Sequence, residues 1–163
     1  MAEIKRKKYA IVDVTNVAAV RTGQVPSSFE LEEKAQEEGV QNGMLLAYDP
    51  IEKLIKLPTD KGEEVYLHWS EEEKYERGLP RNEFKEFKYP RVLKLHVDDL
   101  FETNAVNGNV TKGHYAVTDA SKGFIQMVGA KTPEDAAVIL QVVDTVVLNN
   151  GEDGAKFVVV EEA

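Results

Sequence analysis

Residues 138–160 read Val138-Ile139-Leu140-Gln141-Val142-Val143-Asp144-Thr145-Val146-Val147-Leu148, then Asn149-Asn150-Gly151-Glu152-Asp153-Gly154, then Ala155-Lys156-Phe157-Val158-Val159-Val160. The first run is too rich in valine to favour a helix. A β-branched side chain loses rotamer freedom against a helical turn but packs well on a pleated strand. Asn149 to Gly154 supplies turn residues, so the stretch predicts two strands closed into a hairpin. Just upstream, Thr132-Pro133-Glu134-Asp135 carries a helix-start signature, with Thr as the cap and Pro in the first turn.

The same signals recur on the way back along the chain. His114 to Thr118 and Phe124 to Val128 form a hairpin pair around Asp119-Ala120-Ser121-Lys122-Gly123. Arg91 to Val97 alternates apolar Val92, Leu93, Leu95 and Val97 with Arg91, Lys94 and His96. Met44 to Tyr48 reads as a strand, Asp49-Pro50 turns it, and Lys53 to Leu57 returns with one buried and one wet face. Glu64 to Trp69 and Tyr9 to Val14 complete the strands. A short acidic helix is expected over Phe29 to Glu38, opened by the Ser27 and Glu30 pair and closed by Gly39. A second opens at Ser70 with Glu73 and ends at Gly78. Residues 78–90 carry Pro80 and Pro90 and read as a long excursion.

About nine short strands, two or three short helices and turn signals throughout predict a mainly β fold, a small barrel or sandwich with an N-terminal arm. Residues 1–28 form the arm and first strand, and 29–163 a single β-rich domain with a sub-boundary near 78–90. Bulk properties agree with one domain. The 163 residues are 42% hydrophobic and 30% charged, a globular composition able to bury a core unaided. Cysteine is absent, which removes disulfides, thiolate zinc sites and a thiol nucleophile, and fits assembly in a reducing cytoplasm. A net charge of −9 argues against nucleic acid as a partner. No run approaches the roughly 20 apolar residues of a membrane span.

Candidate chemistry is sparse. His68, His96 and His114 each stand alone, without the i, i+4 pairing of a zinc helix. His96, Asp98 and Asp99 form the tightest polar group, but a strand end with solvated carboxylates explains it. Glu71-Glu72-Glu73 suits a helix N-terminus, where the dipole favours acidic residues. No nucleophile elbow and no phosphate loop occur. No catalytic residue, metal or cofactor is therefore expected.

Two contact elements remain as interface candidates. Lys5, Arg6, Lys7 and Lys8 make a basic arm on an acidic protein, either a solvated tail or a docking element for an acidic neighbour. Trp69, Tyr75, Phe84, Phe87 and Tyr89 put five rings into a charged stretch. They either tack the excursion onto the core or offer a surface for sugars or another protein, with a protein contact favoured.

Asn42-Gly43-Met44-Leu45-Leu46-Ala47-Tyr48-Asp49 followed by Lys53-Leu54-Ile55-Lys56-Leu57 resembles the strand–turn–strand pattern of lambda-type capsid decoration proteins of tailed bacteriophages. Pro90 to Leu95, Asp99 to Val106 and Leu67-His68-Trp69-Ser70 resemble structural proteins from head-gene clusters of phages infecting Firmicutes. The chain is longer than the compact lambda-type protein, and residues 29–38 have no counterpart there. The resemblance implies a non-catalytic protein on the capsid surface of the virion, reinforcing the head lattice. It further implies a homo-oligomer, in trimers, with an arm (here Lys5 to Val14) touching the major capsid protein. A ligand- or glycan-binding β-module, and another neck or tail structural protein, are the alternatives.

Overall fold

The computed structural model describes residues 2–4, 10–19, 29–70, 90–119, 122–149 and 151–162. In chain order the elements are β1 (Ala2–Glu3), β2 (Val12–Asn16), β3 (Glu30–Leu31), α1 (Glu33–Glu38), β4 (Leu45–Asp49), β5 (Leu54–Lys56), β6 (Tyr66–His68), β7 (Val92–Lys94), β8 (Leu100–Thr103), β9 (Val106–Asn107), β10 (Asn109–Val110), β11 (Tyr115–Thr118), β12 (Ile125–Gly129), β13 (Ile139–Val147) and β14 (Asp153–Glu161). A large sheet of seven strands runs β2-β8-β14-β13-β11-β12-β9, a small sheet of five runs β3-β5-β4-β6-β7, and β1 pairs with β10. The fold is mainly β and sandwich-like, and among the described residues no barrel closes.

The main core lies between the two sheets. Phe101, Ala116, Ile125, Leu140, Val142, Ala155, Phe157 and Val159 face it from the large sheet, and Leu45, Leu67 and Leu93 from the small one. The last three are direct cross-strand partners, so one row of leucines covers the core from edge to edge. Their chain neighbours Leu46, Tyr66 and Val92 point the other way, into a second cluster with Leu31, Ala35, Ile55 and Leu57. Helix α1, with Ala35 fully buried, covers that outer face. The small sheet is thus apolar on both sides, which is why Met44-Leu45-Leu46-Ala47 is a continuous apolar run and not an alternating one. Phe29 and Tyr66 flank Tyr48, with centroids at 5.4 and 4.8 Å, and lock β3 onto this layer.

Both predicted hairpins form: β13 pairs with β14 from end to end with a bulge at Val143, and β11 with β12. Three expectations need correcting. Residues 132–135 do not start a helix. Asp135 takes a left-handed conformation (φ 62°) that interrupts helical propagation, and Ala137 N donates to Lys61 O instead. The acidic helix begins at Glu33, because Glu30 and Leu31 are drawn into parallel pairing with Leu54 and Ile55. Gly39 closes it with a positive φ, as expected. The strand from Arg91 stops at Lys94, and Val97 is 46% exposed. Asp98, left-handed at φ 75°, donates its N–H to Val159 O and turns the chain there. The helix expected from Ser70 to Gly78 and the excursion at 78–90 fall outside the described residues, apart from Ser70 itself and Pro90.

Candidate functional site

Of the interface candidates, only Trp69 lies within the described residues. Lys5, Arg6, Lys7, Lys8, Tyr75, Phe84, Phe87 and Tyr89 all lie outside them. Trp69 follows β6, and its N–H donates to Arg91 O, extending the β6–β7 ladder by one step. The indole packs half-buried against the main core. The Arg91 guanidinium sits 5.4 Å from the ring centroid, close enough for a cation–π contact. Beside the ring opens a cleft of about 310 Å³. Ile11, Val12 and Leu148 supply its apolar wall and Asp13, Asn42, Ser70 and Asn149 its polar one. Asp13 and Asn149 are exposed, whereas Asn42 and Ser70 are buried. Apart from its chain neighbour Ser70, the lining residues come from strands and turns far from Trp69 along the chain, so the sequence does not place them beside it.

Beneath the cleft lies a buried polar joint. The Asn42 side chain clamps the backbone of Ser70, donating from Nδ2 to its O (3.1 Å) and accepting from its N–H at Oδ1 (2.8 Å). His68, fully buried, reaches the Gln41 carbonyl with Nδ1 (2.9 Å) and the Ser70 hydroxyl with Nε2 (2.7 Å). A carbonyl only accepts, so Nδ1 carries the proton and Nε2 accepts from the Ser70 O–H. The Ser70 oxygen accepts in turn from Arg91 N–H (3.1 Å). Burial pushes the His68 pKa down from 6.5 to about 4, opposed in part by the Gln41 carbonyl. The imidazole is therefore neutral at pH 7.

The joint also ties in the N-terminal segment. Ala10 N–H donates to Gln41 Oε1 and Ile11 N–H to Asn104 Oδ1, each at 2.7 Å, while Thr103 Oγ1 donates to Ile11 O at 2.6 Å. Gly43 holds the tightest spot, at φ +89°, where an added Cβ would collide with Thr103 Oγ1. The Ile11–Asn104 and Thr103–Ile11 bonds are buried, where an unpaired partner is costly.

A serine hydroxyl 2.7 Å from an imidazole has the spacing of a nucleophile and its base. Here the hydroxyl is buried, and the group that orients the imidazole is a backbone carbonyl, not a carboxylate. His68 stands alone among the histidines, and its signal in the sequence is the i, i+2 spacing that puts it and Ser70 on one side of an extended chain.

The second polar group is also engaged in the fold. Asp99 is buried, not solvated as the sequence suggested, and its carboxylate accepts from His96 N–H (2.8 Å) and Ala18 N–H (3.0 Å). His96 Nδ1 turns toward Glu162 Oε2 at 3.2 Å, and Asp98 is exposed. His96, Asp98 and Asp99 therefore do not converge on one point. Among the described residues no three His, Asp or Glu side chains are grouped to hold a metal ion, and no helix is long and apolar enough to cross a membrane. No family model, no curated protein and no solved structure matches this chain.

Proposed function

We propose that this chain is a tailed-phage virion structural protein that binds the outside of the head lattice as a decoration or cement protein, without catalysis. One observation carries the reading: the polar side chains that could have offered chemistry are committed to holding strands together. His68, Ser70 and Asn42 join loop 41–43 to β6 and β7, and Asp99 joins the turn before β8 to the end of the N-terminal segment. A body braced this way suits a load-carrying role. The segment that resembles decoration proteins forms the β4–β5 hairpin, and those that resemble other head-cluster structural proteins include parts of β6, β7 and β8. The acidic surface leaves the basic arm Lys5 to Lys8 as a contact of opposite sign. The partner is the major capsid protein, and the protein acts as a homo-oligomer, with a trimer expected.

The test is co-sedimentation of purified protein with expanded capsids. Binding is expected, weakened by deletion of residues 1–8. Absence of binding would remove the decoration reading, and binding indifferent to the deletion would remove the arm from it. The Trp69 cleft favours a second reading, a glycan-binding module with the indole as stacking platform and Asp13 and Asn149 as hydrogen-bonding groups. Glycan-array binding that disappears in Trp69→Ala would favour it over the first, and a silent array would count against it.

A further inference from the structure

Strand β13 is covered on one side only for half of its length. Toward β14 it is paired down to Val147 opposite Asp153, except at Val143, which a bulge between Val142 and Asp144 leaves without a β14 partner. Toward β11 the pairing involves Leu140 and Gln141, and then ends with the two bonds between Val142 and the 113–114 turn. From Val143 to Val147 no described strand lies on that side. Leu148 N–H donates to Glu152 O, which sets the phase of the ladder. Residues 144 and 146 direct their backbone groups to β14, and residues 145 and 147 direct theirs away from it. Thr145 N–H agrees with this phase: it meets only the carboxylate of its own neighbour, Asp144 Oδ1, at 2.9 Å.

Exposed edges in soluble proteins are ordinarily blunted by lysine, proline or very short length. Val143-Asp144-Thr145-Val146-Val147 has neither residue and is protected only by the Asp144 charge and the bulge at Val143, while four of its five side chains are β-branched, the type that pleated pairing favours. Val143 is 36% and Val147 71% exposed, so the edge offers apolar side chains together with unpaired backbone groups.

We propose that this edge is a self-association surface, in which β13 of one copy pairs antiparallel with β13 of a second copy about a two-fold axis at Thr145. The segment is self-complementary in that register. Val143 meets Val147 of the partner twice, Thr145 meets Thr145, and the one charged residue, Asp144, faces Val146 and not itself. The two Asp144 carboxylates become diagonal neighbours, roughly 7–8 Å apart. Their repulsion opposes pairing, and Thr145 N–H exchanges its Asp144 contact for a backbone carbonyl. Five residues per copy make a small contact, so the association is weak and concentration-dependent. This inference is independent of the capsid reading, since a two-fold contact yields dimers.

Sedimentation equilibrium of the full chain, from micromolar to millimolar concentration, tests it. A monomer–dimer equilibrium is expected. Thr145→Pro removes an outward N–H without touching the β13–β14 ladder and should weaken the dimer at least tenfold. Val147→Lys, an exposed substitution that leaves every backbone bond in place, should do the same and covers the case in which the proline variant does not fold. Asp144→Asn should tighten the dimer. Because the chain has no cysteine, Thr145→Cys should give a disulfide-linked dimer on oxidation while Ile51→Cys, on the β4–β5 tip, does not. A chain that stays monomeric throughout overturns the proposal. So does any oligomer, a trimer included, that is indifferent to Val147→Lys or lacks the Thr145→Cys cross-link.

Discussion

The polar joint at residues 41–43 and 68–70 and the free half of β13 are mirror images in residue chemistry. The first puts an imidazole, an amide and a hydroxyl where solvent does not reach. The second leaves valines in water. Topology explains both. The joint sits where loop 41–43, β6, β7 and the N-terminal segment converge, so every group there is covered and each must find a partner. The distal part of β13 runs on beyond β11, and its cover falls away until Val147 is 71% exposed. Residue polarity thus follows burial in the core clusters but not in these two places, and mutation should separate them sharply.

The largest effect is expected at Gly43. Its positive φ costs an L side chain about 1–2 kcal/mol, and forcing Thr103 aside adds about 1–3 kcal/mol of overpacking. Gly43→Ala should therefore lower unfolding stability by about 4 kcal/mol, measured by urea or guanidinium titration. Thr103 Oγ1 is the atom displaced. It also donates to Ile11 O and accepts from Ala105 N–H, so Thr103→Ala has its own cost, and the double variant should lose less than the sum of the two single losses. Strictly additive losses would show that the joint is not tight where Gly43 meets β8.

Next comes protonation of His68. Its folded pKa of about 4 lies below the ordinary 6.5, so the unfolded chain binds a proton between these values and the folded chain does not. Stability from this group is complete above pH 6.5, falls as the pH drops toward 4, and is constant below. The full span corresponds to about 3 kcal/mol, at 1.36 kcal/mol per pH unit. Denaturant titrations at intervals from pH 7.5 to pH 4 should show the decline, less steep in His68→Gln, which removes this group and leaves the carboxylates. Identical slopes in both proteins would mean that the imidazole takes up its proton without breaking the joint.

The nine strands legible in the sequence and the five that were not differ in a similar way. β2, β4, β5, β6, β7 and the four strands of the two hairpins each carry either a β-branched run or an apolar segment bounded by turn residues. β1, β3, β9 and β10 have two residues each, too few to show a period. They exist because a partner such as Val110, Leu54 or Ile125 is presented to them. β8 alternates properly, with Phe101 and Thr103 buried, but follows Asp98-Asp99, a pair typical of solvated turns, although the buried carboxylate of Asp99 braces this one. The joint was half legible. His68 and Ser70 share a strand face by spacing alone, whereas Asn42, Thr103 and Asn104 reach it only through folding.

The smallest effect should fall on the free half of β13, and it sharpens the contrast most. Val147→Thr keeps the β-branched shape, replaces one methyl by a hydroxyl, and acts where the side chain is 71% exposed. No core contact is lost and no buried group is left unpaired, so monomer stability should stay within about 0.5 kcal/mol of the parent. The same exchange at Val142, one bulge away and buried in the main core, would bury a hydroxyl and should cost about 1–3 kcal/mol. Five positions on one strand thus separate a site governed by packing from one governed by solvent. A loss at Val147 as large as that at Val142 would mean that the distal half of β13 is covered in the folded chain.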